Sequence, residues 1–353
     1  MALSRSSSFT NDKIVNKSNK RITIVDIAKE LAVSPSLVSM VLSGNGKKNR
    51  ISEKASKRVT ETAKRMGYNP NLLARALRTG KTGVLGLIVA DISNPFFATL
   101  ARLIENEASR YGYGVMFASS DEEAEKFNKI GNVFITKQVD GLIIVPVKES
   151  MEIISEWHSR NIPIVSIDRY YESLNIPYVV SDNFDASYTM IKYLRKKGHN
   201  KIAFIVRNTN ISNFKERECG FLACANHLSL SSEQFHVFKL DNDNWKKELQ
   251  IIIDKILTEG FDVIFFGQNM LGVEGLRILN KLKIQIPDNL GVISFDNSDV
   301  FEFNKPRITC FEQPLKKLAE TTLVYLTNII DDKIDDKQTY AKFKGRLIIR
   351  ESC

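Results

Sequence analysis

The stretch Thr23–Gly44, TIVDIAKELAVSPSLVSMVLSG, decides how the head of this chain folds. Thr23 is a good N-cap, and Asp26 lies three residues later, near the positive end of the helix that follows. Ile24, Ile27, Ala28 and Leu31 then share one face at helical spacing. A tight turn is expected at Ala32–Val33. Ser34 caps a second helix with Pro35 at its first position, where the missing N–H costs nothing. Val38, Val41 and Leu42 supply its inward face, leaving Ser36, Leu37, Ser39 and Met40 on other faces or at its margin. A third helix starts at the Ser52 cap and runs through Val59, Ala63 and Met66 to a stop at Gly67. Pattern alone fits a generic three-helix bundle. It also fits a helix-turn-helix unit, whose second helix can enter the major groove with its N-terminal residues at base edges.

Charge separates the two readings. Residues 1–81 carry 17 Lys/Arg against 5 Asp/Glu, whereas residues 82–353 carry 33 against 36. A small, strongly basic head on a near-neutral body is the footprint of a polyanion-binding protein. Membrane-surface binding would need an amphipathic helix with large exposed apolar side chains, and no segment of the head provides one. Double-stranded DNA is the expected partner.

The whole chain has 353 residues, 43% of them apolar and 26% charged, an ordinary globular composition spread over about two domains. Its longest apolar runs, such as 84–90 and 141–147, are about 7 residues, against roughly 20 for a membrane helix. Residues 1–21 are polar, read as a disordered tail, and hold no signal-like apolar core. The four cysteines (219, 224, 310 and 353) and four histidines (158, 199, 227 and 236) follow no metal-ligand spacing. The expectation is a cytoplasmic protein with no cofactor and no metal. It is not expected to be an enzyme. No GxxxxGK[ST], GxSxG, HExxH or DxDxDG run occurs, and the GxG within Tyr111–Gly114 precedes a strand instead of following one.

From Val84 onward nine strand-like runs alternate with helical stretches: VLGLIVA, GVMFAS, GLIIVPV, PIVSID, YVVSD, KIAFIV, HVFKL, DVIFFG and LGVISFD. Continuous apolar strands between helices indicate α/β architecture, with parallel sheets covered on both faces. Nine of them suggest two doubly wound subdomains with a cleft between. Ligands in such folds sit beyond the carboxyl ends of strands. There the chain places Asp91 and Ser93–Phe97, Asp168-Arg169, Gln268-Asn269 and Asp296-Asn297, while Arg217 opens a helical stretch. Carboxylates beside arginines suit polyhydroxyl ligands, because a carboxylate accepts vicinal hydroxyls and a guanidinium donates in a planar fork.

The string Thr23–Gly44, then GYNPNLLARALRTGKTGVLGLIV (residues 67–89) and DISNPFFATL (residues 91–100), resembles the lactose/galactose-repressor family of bacterial transcription regulators. The likeness spans residues 22–351 and ends on RLIIRES. It implies a helix-turn-helix DNA-binding domain over 22–68 and a hinge helix over 69–81. The rest, 82–353, would be an effector-binding and dimerisation domain of the periplasmic-binding-protein type. In such proteins the hinge folds when two subunits meet on DNA, and a leucine from each, here Leu77, wedges into the minor groove. The residues expected to meet DNA are Thr23, Ser34, Pro35, Ser36, Ser39 and Met40 in the head, Pro35 and Ser36 from position alone. In the hinge they are Ala74, Arg75, Leu77 and Arg78, with Lys81 also expected on phosphate. Family positions matching Phe96, Asp168, Arg169, Arg217, Phe266, Asn269 and Asp296 line the effector pocket.

Several departures from the family pattern stand out. Met40 replaces a hydrogen-bonding residue and can reach only a thymine methyl, so a bidentate guanine contact is excluded there. Leu37 replaces a usual threonine, and the loop Ser43–Arg50 is about two residues longer than usual, with three basic residues. Met270 stands where an aspartate commonly follows Asn269, removing one hydroxyl acceptor. The reading is a homodimeric repressor on a near-palindromic operator, controlled by a small-molecule, carbohydrate-like effector; inducer and corepressor stay equally open. The homodimer would pair through exposed faces of early body helices such as Phe97–Arg110. One alternative is a regulator controlled by a protein partner, and a remoter one a periplasmic-type ligand-binding protein.

Overall fold

The computed structural model describes residues 22–68, 80–231, 233–241, 244–333 and 340–353, and the chain divides into two compact units, 1–79 and 80–353. The tail 1–21 and the hinge segment 69–79, with Ala74, Arg75, Leu77 and Arg78, lie outside the described residues.

The head is three helices, α1 (Ile24–Leu31), α2 (Pro35–Leu42) and α3 (Glu53–Arg65). Thr23 and Asp26 form a reciprocal capping box: the Asp26 amide donates to Thr23 Oγ1 at 3.4 Å and the Thr23 amide to Asp26 Oδ2 at 2.8 Å. Ala32 ends α1 in the left-handed region (φ 52°) and returns its amide to the last turn, which makes the abrupt bend before Ser34. Ser34 and Ser52 cap α2 and α3 by accepting from the Leu37 and Ala55 amides. Ile27, Ala28, Val38, Val59 and Ala63 are the buried core of this unit.

The body has twelve strands among its described residues, in two six-stranded sheets. The first lobe holds β1 (Val84–Val89), β2 (Gly114–Ser119), β3 (Gly141–Ile144), β4 (Ile164–Ile167), β5 (Tyr178–Ser181) and β11 (Tyr340–Phe343), in the order β11-β5-β4-β3-β1-β2, all parallel. The second holds β6 (Ile202–Arg207), β7 (Phe235–Leu240), β8 (Val263–Phe266), β9 (Gly291–Phe295), β10 (Thr309–Glu312) and β12 (Arg346–Ile348), in the order β12-β10-β9-β8-β6-β7; only β12 runs antiparallel. Nine sequence runs thus become twelve strands, with β10, β11 and β12 added to them.

Helices cover both faces of each sheet, as parallel strands buried on two sides require. On the first lobe α4 (Pro95–Arg110) and α12 (Leu315–Ile330) pack on one face, and α5 (Ala124–Thr136) and α6 (Met151–Ser159) on the other. On the second, α7 (Asn183–Lys196) and α8 (Ser212–His227) oppose α9 (Trp245–Thr258), α10 (Asn269–Lys281) and the short α11 (Asp299–Phe303). The chain crosses between lobes three times: from β5 to α7, from β10 to α12 and from β11 to β12.

Gly220 sets how closely α8 can lie on the start of α7. A Cβ there would stand 2.2 Å from the carbonyl oxygen of Phe184, a backbone atom that cannot swing aside. Gly220→Ala is therefore expected to destabilise the body by about 2 kcal/mol, a fall of roughly 5 °C in melting temperature. An unchanged melting temperature would show that the two helices separate at little cost.

Candidate ligand cleft and nucleic-acid face

Each sheet reverses strand order beside a central strand, β1 against β3 in one lobe and β6 against β8 in the other. Loops diverge at such switch points, and a crevice opens beyond the strand ends. A cavity of about 170 Å³ lies there, with walls from both lobes. Asp91, Asn94, Phe97, Glu122, Lys148 and Arg169 come from the first lobe; Arg207, Thr209, Ile211, Phe214, Trp245, Gln268 and Met270 come from the second.

Asp168 and Asp296 follow the last residues of β4 and β9, and both adopt left-handed backbone (φ 67° and 64°). Aspartate tolerates that region better than most residues, at a cost of about 1 kcal/mol or more each. Both side chains are buried, as are Arg169 and Arg217. Arg169 forks onto Glu122 with two bonds of 2.7 Å and donates to the Pro146 carbonyl; its Nε lies 3.5 Å from Asp168 Oδ2. Arg217 donates from Nε to Asn183 Oδ1 (2.9 Å) and from Nη1 to the Gly267 carbonyl (2.7 Å), and stacks 3.5 Å above the Phe295 ring centroid. Asp296 stands 4.0 Å from Arg217 Nη1 and accepts from Gln313.

Several hydrogen bonds join the lobes beside the crevice; Tyr170 of the first lobe donates its amide to Ser212 Oγ at 2.9 Å and its hydroxyl to Glu216 Oε1 at 2.7 Å, both on α8. Asn213 Nδ2 of α8 donates to Asp168 Oδ2 at 3.2 Å, and Asn269 Nδ2 of α10 donates to Asn94 Oδ1 at 2.9 Å. This explains where the expected ligand residues stand. Arg169 is on the cavity wall, while Asp168, Arg217, Asn269 and Asp296 are buried among these bonds. Phe96 packs into the core beneath α4, and its edge-on neighbour Phe97 reaches the cavity instead. Phe266 points to the α10 side of its sheet, against Gly275, and does not line the cavity. Glu122, Lys148, Arg207, Thr209 and Trp245 line the cavity without having been singled out from sequence. Glu122 is carried there by two consecutive left-handed residues, Asp121 and Glu122 (φ 54° and 62°).

Burial pushes the Asp168 carboxyl up to about 6, against the pull of Arg169 and Arg217. Burial also raises Asp296, against Arg217 and the Gln313 bond. Burial works against the Glu122 charge too, but Arg169 outweighs it and holds that carboxyl below its ordinary range. Because Asp168 rises above its unfolded value of 3.8, the folded body binds this proton more tightly than the unfolded chain does. Its contribution to stability is complete below about pH 4 and is lost as pH climbs through about 6, on the order of 3 kcal/mol in all. Asp168→Asn keeps an acceptor for Asn213 and removes the titration. It is expected to raise the melting temperature of the ligand-free protein near about pH 7.5 and to flatten its pH dependence between about 5 and 7. A wild-type profile in that variant would place the titration elsewhere.

In the head, Thr23, Ser34, Pro35, Ser36 and Met40 are exposed and Ser39 is half-buried, so this edge of α2 faces outward over the core formed by Val38. Lys47, Lys48 and Arg50 of the longer loop are exposed too. Lys81, expected on phosphate, has its ammonium 2.6 Å from Asp331 of the body.

Residues 82–325 match the family of periplasmic binding proteins and sugar binding domain of the LacI family, and residues 23–71 match the bacterial regulatory proteins of the lacI family. The ribose operon repressor of Halalkalibacterium halodurans is 31% identical, over 94% of this chain and 96% of its own. A periplasmic binding protein/LacI transcriptional regulator from Alkaliphilus metalliredigens, solved with D-xylulofuranose, is 27% identical with a TM-score of 0.67, covering 76% of this chain and 98% of that one. The lac repressor dimer bound to operator and an anti-inducer shares the fold at a TM-score of 0.80 and 17% identity, over 94% of this chain and 99% of that one. With a three-helix head that matches one family model and a two-lobed body that matches the other, the chain belongs to the LacI family of bacterial regulatory proteins and is a DNA-binding transcription regulator, not an enzyme.

Proposed function

We propose that the protein is a homodimeric repressor that docks on a near-palindromic operator and is switched by a small polyhydroxyl ligand, carbohydrate in character, held between the lobes of its body. Acting on DNA places it in the cytoplasm. The observation that carries the ligand half is the buried Asp168–Arg169 pair. Arg169 Nε has no hydrogen-bond partner, and among the described residues Asn213 is the donor that Asp168 engages. Vicinal hydroxyls supply both missing partners at once, accepting from Nε and donating to the carboxylate. The names of the relatives agree: one is a ribose operon repressor, and another was solved with D-xylulofuranose. The protein-partner and periplasmic alternatives draw no support from these likenesses.

The lobe-bridging bonds Asn213–Asp168 and Asn269–Asn94 supply the switch. A ligand that replaces Asn213 at Asp168, or parts Asn269 from Asn94, changes how the lobes are held. To carry the operator from mostly bound to mostly free, it must favour one arrangement by about 5 kcal/mol.

Thermal unfolding against a panel of sugars tests the ligand half. A carbohydrate at about 100 times its dissociation constant stabilises by roughly 2.7 kcal/mol, and Asp168→Asn is expected to abolish that shift. A flat panel would count against the cleft. For the head, operator selection with the full chain and with Met40→Arg is expected to yield sites differing at one symmetric base position, since arginine restores a bidentate reach to guanine. Identical selected sites would remove Met40 from the base edge.

A further inference from the structure

The charges around the cavity do not cancel one another. Asp91 is satisfied within its own turn, accepting from the Ser93 amide and hydroxyl at 2.8 Å each. Glu122 has both oxygens taken by the Arg169 fork. Lys148 stands at the mouth, exposed, 3.5 Å from Glu149. Arg207 is different. It ends β6, beside the switch point of its sheet, and its guanidinium lies half-buried 5.8 Å from the ring centroid of Trp245. Among the described residues its side chain makes no hydrogen bond and no ion pair. Burial lowers its pKa; Glu122 and Glu248 offset part of that, while Arg169 adds to it.

A guanidinium has five donors in a fixed plane and no acceptor, so it is matched by an oxyanion that accepts in the same plane. Arg207 and Trp245 line the cavity side by side. Lys148, on the opposite lobe, adds a second cation facing the same space. The hydroxyl-binding groups Asp168 and Arg169 lie deeper.

We propose that the ligand is a polyhydroxyl compound carrying an oxyanion, phosphoryl or carboxylate, which seats on Arg207 with Trp245 beside it and Lys148 closing from the other lobe. This rests on the polyhydroxyl reading of the same cleft and adds its charge. A neutral sugar leaves Arg207 unpaired when the lobes enclose it. An anionic one pairs it and links the two lobes through Lys148, so the anion contributes to the lobe arrangement as well as to affinity.

The test uses the full chain and matched compounds: ribose, glucose and fructose, their phosphate monoesters, and the aldonic acids of ribose and glucose. Calorimetric titration with wild type is expected to show one anionic member binding at least tenfold tighter than its neutral parent. The phosphate and acid arms tell which oxyanion it is. Arg207→Gln is expected to remove that tenfold preference while leaving the parent sugar's weaker binding in place, and Arg207→Lys to restore part of it. Equal binding of a neutral sugar and its anionic derivatives, with Arg207→Gln without effect on their ratio, would overturn the oxyanion seat and leave the polyhydroxyl reading standing. No binding by any member would overturn both. Arg207 is half-exposed, and the melting temperature of each variant shows that it is folded.

Discussion

A guanidinium with 2% of its surface exposed must find its partners inside the protein, and much of the second lobe is arranged around that demand of Arg217. Its partners come from separate elements: Asn183 at the start of α7, the Gly267 carbonyl after β8, the Phe295 ring of β9 and the Asp296 carboxylate beyond it. These are strand and helix ends, where backbone direction changes and register is least constrained by the sheet. One side chain from α8 fixes them relative to one another. Gly220, one turn along the same helix, lets α8 come near enough to α7 for the bond to Asn183. The positions of Asp296 and of the start of α10 thus follow from where Arg217 is satisfied.

From Asp296 the same network continues to the crossovers. Gln313, just after β10, donates to Asp296 and accepts from Ser181 at the end of β5. The next residue, Asp182, donates its amide to the Phe343 carbonyl at the end of β11, at 2.9 Å. All three inter-lobe crossings are therefore tied together within a few residues of a cleft carboxylate. Gly345 shows how close they run, since a Cβ there would meet the Glu312 carbonyl at 2.4 Å. A rotation of one lobe against the other bends these segments together. A ligand group that changes the hydrogen bonding of Asp296 thus acts next to the pivot.

Much of this architecture is written in the sequence as apolar runs. β1 reads VLGLIV because it is buried on both faces inside its sheet, between β3 and β2, and burial of that kind needs little context to recognise. β10, β11 and β12 were harder to see. β11 reads YAKF with alternating exposure, and β12 has three residues, because both close the sheets at an edge where one side meets solvent. The cleft was legible where a strand ended in a charged pair, as at Asp168-Arg169. Of the other residues expected there, Phe266 turns its ring toward α10 by its alternation along β8, and Phe96 leaves the cavity wall to the neighbouring ring of Phe97. Arg207 ends the run KIAFIV in the same way and carried the same signal. Trp245 carried none, because its place beside Arg207 comes from the packing of α9 on the sheet.

The cleft is also where the fold gives up stability. Asp168 and Asp296 hold left-handed backbone, their carboxyls are buried and raised, and among the described residues Arg169 Nε lacks a hydrogen-bond partner and the Arg207 side chain makes no ion pair. Apolar residues of similar size would pack these positions more cheaply, since buried ion pairs often gain less from attraction than they lose in desolvation. The inner strands of the two lobes, by contrast, are apolar and buried: β1, β3 and β4 in the first, β6, β8 and β9 in the second. Left-handed carboxylate-bearing residues and an unmet guanidinium donor gathered at the ends of the strands are what a protein keeps when another molecule completes the site.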